Sequence, residues 1–536
     1  MKMGGVLILF FMACLLFFAS CGYGVQRISP SGLLYATDNE EEETWEYCED
    51  CCETLYEQYV IEPIDQPQNN TIQDDGVLRL HMRPPLTLNP LLNEDVTVAR
   101  ILQLIFEPLA VLDNEFRIVG HLAYLEFASD FGSVNATIRE GAIWSDGMPV
   151  TADDVIFSIE FLKNAPNAAI YKNNVSEIAD AIRIDSRTVQ IIFTRASVMA
   201  GYSLNFPIIP QHWQDENNMN PIGSGPFIFE SLNSTRSMTL RRNPHNFRAF
   251  GGGVQEVEVI FLPNSETDFH AFERGRIDAI HLSLTEWTRH AGIRSPNYEV
   301  FPAMYFEFIG FNFTRSIFRE VHTRQGIAHA FNANDAVASL YLAHAVRTAT
   351  PIHPFNRASD NSVSAPIYDP ARAAALLGTV RISEPLVVLA NAENTQRASI
   401  AKRLAESLTN AGLSSVAEIV PSEEYFARLD AHDFDLFVGG MKLPFAPAPQ
   451  IFFQGGGMFI HDFALETAHS ALMFASTEVA YTQAMSHLQQ AFTDHLPIIS
   501  LAFKHSAILS NPRISSTLEP APDHVFLNVH EWNFIP

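Results

Sequence analysis

The sequence predicts an α/β protein with mixed sheets, and the clearest indication is an alternation of strands and helices late in the chain. Residues 385–391 and 416–420 are apolar strands, and residues 395–411 between them repeat apolar side chains at helical spacing. A helix over 423–431 and a strand over 435–439 complete a β-α-β-α-β unit. Such units have parallel strands joined by right-handed crossovers, and ligands bind beyond the carboxyl ends of those strands.

Shorter elements in the first half of the chain support the same fold class. Residues 77–82 alternate apolar and polar side chains as a half-buried strand does, and residues 135–138 and 188–193 are further strands. Residues 97–104 have the spacing of a helix. Strands and helices therefore alternate along most of the chain.

Residues 144–158 predict a turn followed by a capped helix. Asp146 and Gly147 favour a tight turn, and Pro149 keeps the residue before it out of the helical conformation. Thr151 is a good N-cap, and the acidic residues that follow it suit the positive end of a helix dipole.

Length and charge narrow the class of protein. A chain of 536 residues is long for one domain and predicts two or three. Its 34 Lys and Arg face 61 Asp and Glu, which gives a formal net charge of −27. Phosphate binding needs concentrated basic side chains, so this balance excludes nucleic acid as a partner. Residues 28–78 hold many acidic side chains and no Lys or Arg, and we expect a solvated leader there.

The first 20 residues have the composition of an export signal. Lys2 precedes an almost wholly apolar run over residues 5–20, which is short for a membrane-spanning helix. Phe18-Ala19-Ser20-Cys21 resembles a bacterial lipobox, so we predict a signal peptide over 1–20 and lipidation of Cys21. Residues 21–75 then form the acidic leader. An uncleaved or conventionally secreted chain is the alternative.

Catalytic and metal-binding patterns are not recognisable in this sequence. The HExxH and GxSxG motifs are absent. Ser399 and Lys402 match an SxxK pattern, but they lie on a predicted amphipathic helix and no KTG partner follows, so we interpret them as helix surface. Cys48, Cys51 and Cys52 supply too few ligands for a zinc site, and their role stays open. We predict no enzyme activity, no cofactor and no metal.

A series of short motifs carries a family resemblance. In chain order they are Leu88-Asn-Pro90, Trp144-Ser-Asp-Gly147 with Thr151-Ala-Asp-Asp-Val155, Gly223-Ser-Gly-Pro-Phe227, Arg242-Asn243, Arg274-Gly-Arg-Ile-Asp278, Phe311-Asn312, Arg324-Gln325 and Asp369-Pro370. Their order and spacing resemble the extracellular solute-binding proteins of family 5, which serve peptide ABC transporters and include oligopeptide-, dipeptide- and nickel-binding members. Each motif is short, and the set together is specific.

The resemblance implies a two-lobed periplasmic-binding-protein-like fold of the type II class. Such a fold has mixed sheets, a hinge between the lobes and an extra subdomain in the first lobe. We place the first lobe at residues 76–303, with the subdomain at about 91–210. The second lobe is expected at 304–498, and residues 499–536 return to the first lobe.

Ligand contacts are expected at strand ends, at the crossing between lobes and in the segments that carry ligand contacts in the family. The expected positions are Met82, Arg83, Tyr305, Asn391, Gly440, Met441 and Lys442.

One of these segments, the one after Gly440, departs from the pattern of the family's peptide-binding members. After Gly440 those members carry an acidic residue that pairs with the free amino group of a peptide, whereas Pro444 is near its place here. Peptides with a free N-terminus would then lose their partner, and an unpaired buried charge is costly. Our hypothesis is that Lys442 faces the cleft and favours an anionic, modified or amine-blocked ligand. The alternative is that Lys442 lies on a solvated loop.

The resemblance and the N-terminus together predict a lipoprotein anchored on the outer face of a bacterial cytoplasmic membrane. It would capture a peptide-like solute as a monomer and deliver it to the permease subunits of an ABC importer. A ligand-sensing lipoprotein that presents a peptide signal to a membrane receptor is one alternative. An anchored extracellular hydrolase is the other.

Overall fold

The computed structural model describes residues 75–213, 218–282, 297–456 and 459–535. The predicted signal peptide, Cys21 and the three cysteines of the leader lie outside the described residues. All described residues belong to one compact unit of the chain. Within these ranges, none of the helices combines the length and the apolar character needed to span a bilayer.

Strands and helices alternate along the described chain, as the sequence predicts. The strands are β1 (Val77–Met82), β2 (Ala110–Leu112), β3 (Ile118–Gly120), β4 (Ala123–Phe127), β5 (Ser133–Ile138), β6 (Ile178–Arg183), β7 (Thr188–Phe193), β8 (Phe227–Asn233), β9 (Ser237–Arg242), β10 (Glu256–Phe261), β11 (Ala279–Leu282), β12 (Asn297–Phe311), β13 (Ala345–Arg347), β14 (Leu386–Asn391), β15 (Ser415–Val420), β16 (Leu436–Lys442), β17 (Gln454–Gly456), β18 (Phe459–His461) and β19 (Ile499–Ser510). The helices are α1 (Val96–Leu102), α2 (Ala152–Lys163), α3 (Ser265–Glu273), α4 (Val321–Ala330), α5 (Ala333–Tyr341), α6 (Pro370–Leu377), α7 (Thr395–Asn410), α8 (Ser422–Asp430), α9 (Phe463–Met473) and α10 (Glu478–His495).

The predicted β-α-β-α-β unit is confirmed as β14, α7, β15, α8 and β16. β14 pairs in parallel with both β15 and β16, as the crossover rule requires. Gly412 follows α7 with a φ of +95°, a conformation that favours glycine and that ends the helix. β16 runs to Lys442 instead of ending at the predicted residue 439, because residues 440–442 still pair with β12.

The strands form several sheets. β1-β10-β9-β8 is a mixed sheet in which β1 and β10 are parallel, and β4-β5-β7-β6 is an antiparallel sheet. The largest sheet has the order β11-β19-β12-β16-β14-β15, and β13 also pairs with β19. Its two longest strands, β12 and β19, are antiparallel neighbours.

These two long strands run from one hydrophobic core to another. Phe301 of β12 and Ile508 of β19 lie in a core that contains β1, α1, α2 and the sheets before residue 262. Ile309 and Leu501, near the other ends of the same strands, lie in a core built by α4, α7, β14 and β16. Two cores joined by continuous strands form two lobes with crossings between them. The domain boundaries given above stay a prediction.

Thr151 is the N-cap of helix α2, as the turn and cap signals predict. The Asp154 carboxylate accepts hydrogen bonds from the Thr151 amide at 2.8 Å and from the Gln211 amide at 2.9 Å. The indole Nε1 of Trp144 also donates to it at 3.3 Å. Trp144 is therefore a buried packing residue, held against the start of the helix.

Several other motif residues hold backbone segments together. The fully buried Arg324 donates to the carbonyl oxygens of Phe318 and Leu496, at 2.7 and 2.9 Å, and so joins the start of α4 to the end of α10. At Gly223 and Gly225 a Cβ would clash with the backbone of residues 104–105. These glycines allow a close approach of two chain segments.

Candidate functional site

A cavity of about 540 Å³ is lined by residues of both lobes and by the crossing strand β12. Small-molecule sites in proteins typically measure roughly 300–1,000 Å³, so the volume suits a small solute. Its polar and aromatic wall includes Arg100, Gln103, Tyr171, Glu177, Arg195, Asn205, His281, Tyr305, Lys442, Phe445, Gln450 and Asp523. A second cavity, of about 480 Å³, is lined only by residues between 121 and 248, so movement of one lobe against the other would not close it.

Tyr305 and Lys442 lie side by side in the cavity wall because they are register partners of β12 and β16. The Lys442 Nζ is 6.0 Å from the centroid of the Tyr305 ring, and the Lys504 Nζ of β19 is 5.5 Å from it. Both distances fit cation–π contacts. Lys504 also pairs with Glu307 at 3.3 Å, whereas Lys442 has no carboxylate within ion-pair distance among the residues that the structure describes.

The Lys442 side chain is exposed in the cavity, although protein atoms crowd around it. This partial desolvation, together with repulsion from Arg100, lowers the pKa of Lys442 to about 8. At neutral pH the side chain is still mostly an ammonium group. The arrangement gives the cavity a positive charge that an anionic group of a ligand could neutralise.

A buried charge network lies directly beneath this wall. The Glu307 carboxylate receives two hydrogen bonds from the Arg397 guanidinium, from Nε at 2.8 Å and from Nη2 at 2.9 Å. A Cβ on Gly440 would be 2.6 Å from Glu307 Oε1, so glycine is needed for the strand to pass over the network. Gly440 therefore serves packing, and it does not line the cavity.

The remaining predicted contact residues also lie away from the cavity wall. Met82 and Met441 point into apolar cores, with exposed fractions of 0% and 5%. The Arg83 guanidinium donates to Asp268 at 2.9 Å, and the Asn391 amide donates to Ser422 Oγ at 3.4 Å. Of the seven predicted positions, Tyr305 and Lys442 line the cavity. A ligand contact by any of the seven stays a prediction.

The wall contributed by the first lobe was not found from the sequence. The Arg195 guanidinium pairs with Glu177 at 2.9 Å, and Arg100 extends from α1. Asp523, on the C-terminal segment, accepts hydrogen bonds through Oδ2 from the Leu112 amide at 3.0 Å and from Asn205 Nδ2 at 2.5 Å. Burial raises the pKa of Asp523 to about 7. A charged residue after the last strand carries no sequence signal that would place it in this wall.

The SxxK residues lie on the exposed face of α7, where the Ser399 hydroxyl donates to the Thr395 carbonyl at 2.7 Å. Serine-lysine acyl enzymes pair the SxxK motif with a Ser-Asp-Asn motif. Residues 359–361 read Ser-Asp-Asn, but the structure connects Ser359 and Asp360 to α10, through Gln489 and Ser486. A serine-lysine catalytic arrangement is therefore not assembled by these residues. Among the described residues there is also no cluster of three His, Cys, Asp or Glu side chains suited to a metal ion.

The two cores, the strands that connect them and the cavity that both lobes line define the class of two-lobed solute-binding proteins. The family model described as bacterial extracellular solute-binding proteins, family 5 Middle, matches residues 117–456, which is more than half of the chain. The chain belongs to this family. The predicted family and fold class are thereby confirmed.

Individual relatives agree with this membership. A Brucella ovis protein that is provisionally named an ABC transporter peptide-binding protein is 23% identical over 367 residues, which cover 63% of this chain and 68% of the relative. The ABC transporter substrate-binding protein CtaP from Listeria monocytogenes has a similar structure, with a TM-score of 0.75 and 17% identity, over 86% of this chain and 100% of that chain. The oligopeptide-binding protein AppA from Bacillus subtilis, solved with a nonapeptide, has a TM-score of 0.63 and 17% identity, over 86% of this chain and 99% of that chain. At these identities the two solved structures establish the fold.

Proposed function

We propose that this chain is the substrate-binding lipoprotein of an ABC importer, which captures a peptide-like solute between its lobes and delivers it to a membrane permease. The observation that carries the proposal is the cavity lined by both lobes and by the strand that joins them. A solute that contacts both walls binds the closed form more tightly than the open form, so binding shifts the protein towards closure. The permease would then recognise the closed shape. This function needs no catalytic step.

The peptide-like nature of the solute is supported by the relatives. The Brucella ovis protein is provisionally named for peptide binding, and the Bacillus subtilis structure contains a bound nonapeptide. The cavity wall of this chain offers both hydrogen-bonding and aromatic groups, which a peptide backbone with side chains can use. We further propose that Lys442 binds an anionic group of the solute.

The membrane location is also part of the proposal. It rests on the apolar N-terminal run and on Cys21, and family membership supports export because the family is extracellular. Acyl chains on Cys21 would hold the binding lobes beside the permease. Palmitate labelling of the wild-type chain, with a Cys21→Ser variant as the control, tests the anchor. Label that persists in the variant would contradict lipidation at this residue.

Mass spectrometry of the small molecules released when the purified protein is denatured tests the solute class. The proposal predicts a short peptide or a closely related amide. Recovery of a solute of another class, with no binding of short peptides by calorimetry, would contradict it. Turnover of a peptide library by the purified protein would instead favour a hydrolase.

A further inference from the structure

The second cavity, of about 480 Å³, is a pocket of the first lobe, and it shares no lining residue with the cavity between the lobes. Three arginines line it, namely Arg139, Arg187 and Arg248, whereas Glu140 is the one acidic side chain among the described residues of its wall. The chain as a whole has a net charge of −27, so three guanidinium groups around one cavity reverse the prevailing sign of charge. Such a local excess of positive charge favours an anionic ligand.

The antiparallel sheet β4-β5-β7-β6 brings two of these arginines to the same place. Arg139 directly follows β5, and Arg187 directly precedes β7. The end of β5 lies beside the start of β7, and the Ile138 amide donates to the Arg187 carbonyl at 2.9 Å. The guanidinium carbon of Arg139 is 4.3 Å from the centroid of the Tyr124 ring, which fits a cation–π contact. The two arginines therefore belong to the same end of the sheet.

Arg139 is held in position by neutral acceptors. Its Nε donates to the His121 carbonyl at 2.5 Å, and its Nη2 donates to the Gly120 carbonyl at 3.3 Å. These hydrogen bonds order the guanidinium group without neutralising its charge. Within the described ranges, Arg139 forms no ion pair with a carboxylate. An ordered cation of this kind is ready to bind an anion, because little conformational freedom is lost on binding.

Arg187 is paired with an acid that an incoming anion can replace. Its Nη1 is 3.3 Å from Glu140 Oε1, and the two side chains are 43% and 87% exposed. Ion pairs at such exposed positions contribute little, because water screens the attraction. An anion that contacts both Arg139 and Arg187 would therefore displace the Glu140 carboxylate at small cost.

Arg248 is a fixed part of the wall, and its charge is already balanced. Its Nη2 donates to the buried Glu107 carboxylate at 2.6 Å, and its Nη1 donates to the Leu527 carbonyl at 3.0 Å. Burial alone would raise the pKa of Glu107, but Arg248 and His121 hold it well below its usual value, so the carboxylate stays ionised. The positive charge that the cavity leaves available is thus carried by Arg139 and Arg187.

We propose that this cavity is a second binding site, in which Arg139 and Arg187 hold the phosphoryl group of a phosphate monoester. Phosphoryl oxygens point in several directions, so they can accept from both guanidinium groups and from the Thr137 hydroxyl, which also lines the cavity. The Tyr124 and Phe247 rings offer apolar contacts to the rest of the ligand. The ester is either a free phosphorylated solute or a lipid headgroup, since both present the same chemistry. This site lies outside the cavity that the proposed function uses.

Calorimetric titration of the full chain with glycerol 3-phosphate at pH 7.5, with glycerol as the neutral control ligand, tests the inference. We expect one phosphate ester to bind per chain and glycerol not to bind. Arg139→Gln and Arg187→Gln should each weaken binding by about tenfold or more. Arg183→Gln, which removes an exposed arginine of β6 in the same sheet, should leave it unchanged. Glu140→Gln should tighten binding by about twofold to fivefold, because it removes the competing carboxylate.

Dihexanoyl phosphatidate, a soluble lipid with the same phosphate monoester, distinguishes the two sources. Tighter binding of this lipid than of glycerol 3-phosphate indicates a headgroup site, and the reverse order indicates a free solute. Because Arg187 and Glu140 are exposed, their variants test the site even if Arg139→Gln, checked by thermal melts, does not fold.

Two results would overturn the inference. One is the failure of both phosphate esters to bind the wild-type chain. The other is phosphate binding that Lys442→Ala abolishes and Arg187→Gln leaves intact, because the ester would then occupy the cavity between the lobes. Peptide capture is a separate question in either case. Trialanine binding, measured in the same way, should be unchanged in Arg187→Gln.

Discussion

Replacing Glu307 by Gln tests how strongly the buried charge network beneath the cavity stabilises the second lobe. The Glu307 side chain is 1% exposed, and its partners Arg397 and Lys504 are 8% and 4% exposed. Glu307→Gln keeps the size of the side chain but removes the negative charge that balances two cations. The charge-assisted hydrogen bonds from Arg397, at 2.8 and 2.9 Å, are weakened at the same time.

The expected cost follows from the burial of the network. Removing one partner of a buried ion pair typically costs about 3–5 kcal/mol, because the remaining charge stays in a low-dielectric environment. An exposed pair contributes about 0–1 kcal/mol. Glu418, which pairs with Arg428 at 2.6 Å and is 39% exposed, supplies the matched control in the same lobe. Glu418→Gln should therefore change stability by less than about 1 kcal/mol.

Urea unfolding measured by circular dichroism gives the free energy of unfolding of each variant. We expect Glu307→Gln to lower it by about 3 kcal/mol or more relative to Glu418→Gln, with similar slopes against urea. A difference below about 1 kcal/mol would refute the reasoning. It would mean that water or other groups compensate the two cations.

The other predictions concern the two walls of the cavity. Lys442→Ala should weaken trialanine binding by about tenfold or more in calorimetry, because the ligand carboxylate loses its cation, and unchanged affinity would count against Lys442 as a contact. Asp523→Asn should stabilise the ligand-free protein increasingly as pH rises from about 4 to about 7, by roughly 4 kcal/mol at pH 8, because the pKa is shifted by about three units. The sign follows because burial raises the folded-state pKa of Asp523 to about 7, so the wild-type protein loses stability as this carboxyl ionises. Urea midpoints of both proteins at several pH values measure this difference, and a constant difference would argue against the raised pKa.

Local sequence patterns predicted the regular elements well. The β-α-β-α-β unit lies within three residues of its predicted bounds, because apolar spacing and the glycine after α7 are local signals. The end of β16 was less predictable, since its last residues are strand only through pairing with β12. Tertiary pairing decides such boundaries.

The cavity wall was predictable only in part. Tyr305 and Lys442 could be expected from the crossing strand and from the family's ligand-bearing segment, and both line the cavity. Met82 was expected there, but the inward face of β1 buries it completely. Arg100 and Asp523 are more than 400 residues apart in sequence and lie in the same wall only after folding. No pattern in either segment indicates that proximity.

Small-angle X-ray scattering with and without the solute recovered from the purified protein tests the central claim most directly. The account predicts that saturating solute lowers the radius of gyration, because binding to both walls favours the closed arrangement of the lobes. Trialanine should produce the same change if it binds. An unchanged scattering profile, at concentrations where calorimetry shows full occupancy, would contradict capture by closure.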